Sequence, residues 1–166
     1  MSDVIIDYAA DYKAIDIAYC FLKIAHETDS FSNDISNMKL NKLVYFAQVM
    51  HVGAYQKALY KDDTRAWDYG PVIPPLYRLL KPFGAIAFSL SDQRIEEAFK
   101  LKKVQSVDDG NASNVINSVW NALKDLSAVD LSRMTHRKGS PWSEVYAKKP
   151  YDIIPLELMY EKRFGE

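Results

Sequence analysis

The spacing of apolar residues predicts helices along most of the chain. Apolar positions three and four apart recur over residues 12–27 and 36–54, a spacing that puts these side chains on one helix face. In the second segment this face consists of Leu40, Leu43, Val44, Ala47, Met50, His51 and Ala54. Because Phe46 and Val49 widen the face, we expect this helix to be central and buried on more than one side.

Shorter helices are predicted after residue 74, where local start signals accompany amphipathic spacing. A proline suited to the first helical turn opens the segments at Pro75 and Pro155, and Ser140 precedes another such proline. Ser127 begins a capping box. Another amphipathic helix ends near Leu123, while residues 94–103 are ambiguous, with helix favoured. We therefore expect about six or seven helices.

A different pattern interrupts the helices between residues 64 and 90. Residues 65–70 alternate and are rich in aromatic side chains, which favours a short strand or an extended loop. Gly70-Pro71 then turns the chain, and residues 85–90 are predicted as a second short strand. With no repeat or linker present, the prediction is one compact, mainly α domain over residues 1–166, with a small two-stranded β element near residues 64–90.

Composition and net charge narrow the class of protein. The 166 residues are 48% hydrophobic and 26% charged, as in an ordinary globular domain. A net charge of −1 excludes a uniformly basic nucleic-acid binder. Cys20 stands alone and cannot form an internal disulfide, and the first residues resemble neither a signal peptide nor a membrane span. We expect a cytoplasmic protein.

The charges are nevertheless unevenly distributed. Residues 1–34 hold seven acidic residues against two lysines, and residues 133–149 hold five basic residues against one glutamate. We interpret these stretches as two solvated faces of opposite sign. The basic one keeps a nucleic-acid-binding regulator open as a hypothesis, with contacts from Arg133, Arg137, Lys138, Lys148 and Lys149.

Motifs for catalysis, cofactors and metals are missing from the sequence. It contains no glycine-rich phosphate loop, no metal-ligand spacing and no nucleophile elbow. His26 and His51 fall on apolar helix faces, where hydrogen-bonded core histidines are expected, and Cys20 is expected to be a small buried hydrophobe. The prediction is a protein without enzymatic activity, cofactor or metal.

One cluster, Thr135 and His136 near Ser140 and Trp142, has the residue types of a proton-transfer site. Adjacent helical residues point about 100° apart, however, so Thr135 and His136 do not face one cleft. We interpret the cluster as structural. His136 or Thr135 would satisfy backbone groups at the junction of two helices, and Trp142 would pack the corner.

Three blocks of sequence resemble those of a known family. They are MKLNKLVYFAQ at residues 38–48, AWDYGPVIP at residues 66–74 and LSRMTHRKGSPW at residues 131–142. Their content and order are similar to those of the Panacea domain, the SocA-like antitoxin family. Pro75 departs from the pattern, because a polar residue is common at that position.

The resemblance implies an antitoxin that binds a cognate toxin protein, encoded by an adjacent gene, and neutralises it. An adaptor that delivers the toxin to a ClpXP-type protease is an alternative, as is the nucleic-acid-binding regulator, although nucleic acid is not an expected partner. Structural roles are implied for the motif residues, which are Lys39, Leu40, Lys42, Leu43, Tyr45, Gln48, Trp67, Gly70, Pro71, Pro74, Thr135, His136, Pro141 and Trp142.

Candidate partner-binding residues are Trp67, Tyr69, Phe88 and Arg94. Trp67 and Tyr69 lie on the extended aromatic segment and have the side chains that anchor protein interfaces. The alternative for Trp67 is a core residue that clamps this segment to the long helix. Because the three blocks are expected to serve the fold, contacts that select the partner are expected in residues 85–112 and on the acidic N-terminal face.

Overall fold

A computed structural model of the protein describes residues 4–28, 35–163 and 165. Within these ranges the chain forms eight α-helices and one two-stranded antiparallel sheet, which confirms the predicted mainly α class. The helices are α1 (Ala14–Thr28), α2 (Asn37–Tyr55), α3 (Pro74–Leu80), α4 (Gln93–Leu101), α5 (Gly110–Leu123), α6 (Ala128–Thr135), α7 (Pro141–Lys148) and α8 (Leu156–Lys162). A 3₁₀ turn, Lys81–Phe83, follows α3.

Helix α2 forms the centre of the molecule. It packs against α1, α3, α5, α6 and α8, and fourteen of its nineteen residues are buried. Its first turn is capped by Ser36, whose hydroxyl accepts from the Lys39 N–H, and it ends at Gln56 in a left-handed conformation. The predicted burial on several sides is therefore confirmed, and it extends to polar residues such as Lys39 and Lys42.

The sheet is a tight hairpin of β1 (Arg65–Trp67) and β2 (Gly70–Val72) joined by Asp68 and Tyr69. The second strand is thus not at residues 85–90, where the chain forms a single bridge between Phe88 and Ile35. Gly70 has φ 112°, a conformation that glycine adopts readily, so the chain reverses after only two residues.

Proline fits the second strand because of where the backbone bonds of the first strand go. Pro71 lies opposite Ala66, yet the Ala66 N–H donates to the Asp152 carbonyl and the Ala66 carbonyl accepts from the Tyr151 N–H. Ala66 therefore pairs with the segment after α7, and the missing N–H of Pro71 costs the hairpin no hydrogen bond.

Two interpretations of the first helix are wrong. His26 is exposed in the last turn of α1, because the buried stripe passes through Leu22 and Ala25 and His26 lies about 100° away. Asp16, assigned to a solvated acidic face, is fully buried. Its carboxylate accepts from the backbone N–H groups of Lys13 at 2.8 Å and Gln105 at 2.7 Å, so it stabilises the helix start. Within the same acidic stretch, Asp3, Asp29 and Asp34 lie outside the described residues.

Candidate functional site

The tip of the hairpin is held by side chains from distant parts of the chain. Trp142, in the first turn of α7, donates from its indole N–H to the Trp67 carbonyl at 2.7 Å. Ser132, in α6, donates from its hydroxyl to the Tyr69 carbonyl at 2.7 Å. The backbone on both sides of Asp68 is therefore fixed in place by α6 and α7.

Asp68 is held by two tyrosines that come from the far end of the sequence. The hydroxyl groups of Tyr146 and Tyr151 each donate to one of its carboxylate oxygens at 2.7 Å. These hydrogen bonds keep the pKa of Asp68 below its ordinary value and raise the pKa of each phenol. Exposed pairs contribute little stability, so their main effect is to fix the orientation of the tip.

A stack of three aromatic rings, centred on Trp142, holds the side chains that bond to the hairpin. The ring of Trp142 lies 3.9 Å from that of His136 and 4.5 Å from that of Tyr146, with interplanar angles of 13° and 17°. Burial, followed by the charge of Lys42, lowers the pKa of His136. His136 therefore contributes a stacking surface. The Thr135 hydroxyl donates to the Ser132 carbonyl at 2.6 Å, so it satisfies a backbone group at the end of α6 as expected, and the Thr135 carbonyl accepts from the Ser140 hydroxyl at 2.7 Å.

A groove of about 550 Å³ opens beside the hairpin, between α2, α3 and the residues that follow the 3₁₀ turn. We call it the hairpin groove; its lining includes Met38, Asn41, Lys42, Trp67, Tyr77 and Tyr151. The half-buried Trp67 ring forms edge contacts with Tyr77 at 5.0 Å and with Tyr151 at 6.3 Å. Tyr69 also lines the groove and is 71% exposed.

Lys42 lines the same groove, yet only 1% of it is exposed. Its ammonium group donates to the Pro71 carbonyl at 3.1 Å, and no carboxylate lies within ion-pair distance in the part of the chain that the structure describes. Burial without a counter-charge lowers the pKa of Lys42 to about 7. Gly70 leaves room for this side chain, because a Cβ there would lie 2.7 Å from the Lys42 Cε.

The other two candidate contact residues lie together elsewhere. Phe88 is 7% exposed, and its ring lies 6.1 Å from that of Phe83. The Arg94 guanidinium sits 5.6 Å from the centre of the same Phe83 ring and pairs with Asp92 at 2.9 Å. The structure therefore brings Trp67 and Tyr69 to one groove and places Phe88 and Arg94 in a separate cluster.

The remaining motif residues have contacts within the fold. Gln48 accepts from the Leu59 N–H at 2.6 Å and donates to the Tyr60 carbonyl at 3.2 Å, so it holds the chain that follows α2. Lys39 donates to the Lys124 carbonyl at 2.7 Å. Leu40, Leu43, Tyr45, Pro74 and Pro141 are buried, and their side chains form no such bond with the residues that the structure describes.

Two residues that form the groove, Tyr77 and Tyr151, were not among the predicted contact residues. Tyr77 directly follows Leu76 in a short predicted helix, and the apolar spacing of that helix indicates only packing against the core. Tyr151 reaches the hairpin through the pairing of its backbone N–H with the Ala66 carbonyl at 2.7 Å. That pairing joins residues 85 positions apart, and no local signal in the sequence marks it.

The described residues contain no group of three or more His, Cys, Asp or Glu that could hold a metal ion. His51 is buried and donates from Nδ1 to the Lys57 carbonyl at 2.7 Å. Cys20 is half-buried, and burial raises the pKa of its thiol to about 11, which suppresses the reactive thiolate. In the described ranges no helix has both the length and the apolar character needed to span a membrane.

The basic stretch of the C-terminal third is exposed. Arg137, Lys138, Lys148 and Lys149 all face solvent. Arg133 lies 3.8 Å from Asp130, one turn earlier in α6. These side chains therefore form the solvated basic face expected from the sequence.

Comparison with known proteins identifies the family. The family model described as "Antitoxin SocA-like, Panacea domain" matches residues 40–143. Among curated proteins, antitoxin SocA of Caulobacter vibrioides (strain NA1000 / CB15N) is 29% identical over 133 residues, covering 75% of this chain. The aligned part spans 66% of that relative's length. No solved structure matches the chain. Because the family model covers well over half of the sequence, including parts of all three motif blocks, the chain belongs to the SocA-like antitoxin family with a Panacea domain.

Proposed function

We propose that this protein is an antitoxin that binds a cognate protein toxin directly, and that the hairpin groove with its Tyr69 rim is the contact surface. Membership of an antitoxin family supports the first part. The second part depends on one observation: an exposed tyrosine stands at the rim of an apolar groove, on a hairpin tip fixed by four side-chain hydrogen bonds.

Rigidity of the tip favours binding for a thermodynamic reason. Association costs free energy whenever flexible groups must be ordered, and a preorganised contact avoids part of that cost. Tyrosine combines a large apolar ring with a hydroxyl and is enriched among the residues that dominate protein interfaces. Tyr69 and the half-buried Trp67 beside it therefore have the properties of interface anchors.

The proposal is tested by co-expressing the chain with the product of the neighbouring reading frame. We expect the wild-type chain to restore growth and to co-purify with the toxin as a stoichiometric complex. Tyr69→Ala should weaken the complex at least about tenfold, the effect of removing an interface anchor. Tyr55→Ala is the matched control, because Tyr55 is 38% exposed and does not line the groove.

Each contrary result has its own meaning. Absence of both rescue and co-purification with the wild-type chain refutes direct neutralisation. If the Tyr69→Ala and Tyr55→Ala variants bind the toxin with equal affinity, the groove is excluded as the contact surface. The contact is then expected in residues 85–112, where Leu101 is 83% exposed. Rescue that requires a protease, together with a shortened toxin half-life, supports the adaptor instead.

A further inference from the structure

Among the described residues, Lys42 is the one buried charged group of the hairpin groove, and no opposite charge lies within ion-pair distance of it. Lysine is rarely buried completely unless it is paired, because removal of an ammonium group from water is costly. Only 1% of Lys42 is exposed, and its single acceptor among the described residues is the neutral Pro71 carbonyl. An ammonium has three N–H donors, so two remain for another acceptor.

The two amide side chains of the groove, Asn37 and Asn41, are held by contacts within the fold. The Asn41 amide donates to the Asn37 side chain at 2.8 Å, and its oxygen accepts from the Ile73 N–H at 3.0 Å. Asn37 in turn donates to the Tyr77 carbonyl at 3.1 Å. Lys42 differs from both amides, because it carries a charge for which the described residues supply no counter-charge.

We propose that the groove binds a carboxylate side chain of the toxin, an aspartate or glutamate that enters between the aromatic walls and pairs with Lys42. This inference rests on the proposed function, since it specifies the chemistry of the partner at the same surface. The toxin would supply the counter-charge that the described part of the chain does not place beside Lys42.

The surroundings favour a single carboxylate over a more highly charged anion. Asp68 lines the groove, and its carboxylate is held ionised by the Tyr146 and Tyr151 hydroxyls. A phosphate would bring close to two negative charges toward this carboxylate, whereas an aspartate or glutamate brings one. The apolar walls from Met38 and Trp67 also suit the methylene groups of an acidic side chain.

Uptake of a proton by Lys42 when the toxin binds distinguishes this ion pair from a contact that leaves the protonation of Lys42 unchanged. With a pKa of about 7, Lys42 in the free protein is mostly neutral at pH 8, and a carboxylate beside it restores the proton. The other titratable groups around the site are His136 from α6, Asp68 and Tyr69 from the hairpin, and Tyr77, Lys81 and Tyr151. At pH 8 His136 is neutral and Asp68 is charged, because both pKa values are lowered.

The experiment uses calorimetry with the purified toxin, the product of the neighbouring reading frame, at pH 8 in two buffers of different ionisation enthalpy. The wild-type chain should take up close to one proton per complex. Lys42→Met keeps the length of the side chain and removes the charge, so it should lose this uptake and bind about thirtyfold more weakly or worse. Lys61→Met, at an exposed lysine outside the groove, should change affinity less than about twofold.

The outcomes separate this inference from the proposed function. If the toxin binds and Lys42→Met leaves both affinity and proton uptake unchanged, the pairing is refuted while direct neutralisation stands. If the wild-type chain forms no complex, both fail. Hydrogen exchange of the hairpin amides shows whether Lys42→Met keeps its fold. Should that variant unfold, proton uptake by the wild-type chain still tests whether a toxin carboxylate pairs with Lys42. An uptake near zero at pH 8 overturns the pairing.

Discussion

Lys39 and Lys42 lie one turn apart on α2, and both are buried, but they contact different elements of the fold. Lys39 reaches the C-cap of α5, where its ammonium donates to the Lys124 carbonyl at 2.7 Å. The C-terminus of a helix carries partial negative charge, so a cation is stabilised there. Lys42 reaches the hairpin, where its ammonium donates to the Pro71 carbonyl in a two-stranded sheet with little net dipole.

The comparison shows that burial alone does not assign a role to a charged residue. The contact of Lys39 links two helices, as expected of a residue that holds the core together. The surroundings of Lys42 penalise its charged form and lower its pKa, and its side chain lines the groove. Three variants test whether the surroundings of these two lysines differ as described.

The largest expected effect is at the α5 end. Lys39→Ala removes a buried aliphatic stem and leaves the Lys124 carbonyl without its donor, so we expect a loss of about 3 kcal/mol in the free energy of unfolding. Urea denaturation measures this loss. Lys124→Ala is the control and should cost under about 1 kcal/mol, because Lys39 bonds to the backbone of Lys124. A loss below about 1 kcal/mol for Lys39→Ala contradicts the structural role.

Replacement of Lys42, which lies under the hairpin, is expected to raise the free energy of unfolding rather than lower it. Because the folded pKa of Lys42, about 7, lies below its unfolded value, the unfolded chain binds more protons between about pH 7 and 10, and wild-type stability rises with pH there. Lys42→Met lacks this dependence. We expect it to be more stable than wild type by about 2 kcal/mol at pH 6.5, with the difference gone by pH 9.

Urea denaturation at these two pH values tests the reversal. The matched variant Lys39→Met should lose stability at both. If Lys42→Met is less stable than wild type at pH 6.5, the predicted difference between the two lysines is wrong. The contact of the wild-type Lys42 with Pro71 would then contribute more than the buried charge costs.

The smallest expected effect concerns how the hairpin is held over Lys42. Trp142→Phe keeps a stacking ring but loses the hydrogen bond to the Trp67 carbonyl, which should cost about 1 kcal/mol. Amide exchange in residues 65–72 should speed up, and exchange in α5 should not. Trp120→Phe, at a buried tryptophan of α5, is the control and should leave the hairpin amides unchanged. If amide exchange in the hairpin is unchanged in Trp142→Phe, the other contacts of the tip hold the hairpin in place without this hydrogen bond.

Local sequence signals predicted the helices well and the candidate site only in part. The apolar periodicity of residues 36–54 and the side-chain caps at Ser127 and Ser140 are short-range features, and the structure contains each of them. The second strand was misplaced, because the turn at Asp68 and Tyr69 depends on Gly70 at φ 112°, and the sequence does not specify that conformation.

Within the candidate site, the sequence identified Trp67 and Tyr69 by their aromatic character but did not predict the groove around them. That groove requires Tyr77 from α3 and Tyr151 from the segment after α7, and the latter arrives through a backbone pairing with Ala66. Such long-range pairings depend on how several helices pack at once, which a local pattern does not encode.

By itself the sequence determined the helical class, the central helix α2 and the absence of any known catalytic or cofactor motif. These follow from residue type and from periodicities that act over a few positions. Packing, in contrast, brings Lys39 to the C-cap of α5, whereas Lys42, three residues later, lies beneath the hairpin with no counter-charge from the described residues. The physical reason is that the free energy of a buried charge is set by the dipoles and charges that packing brings around it, and here those come from residues far away in the chain.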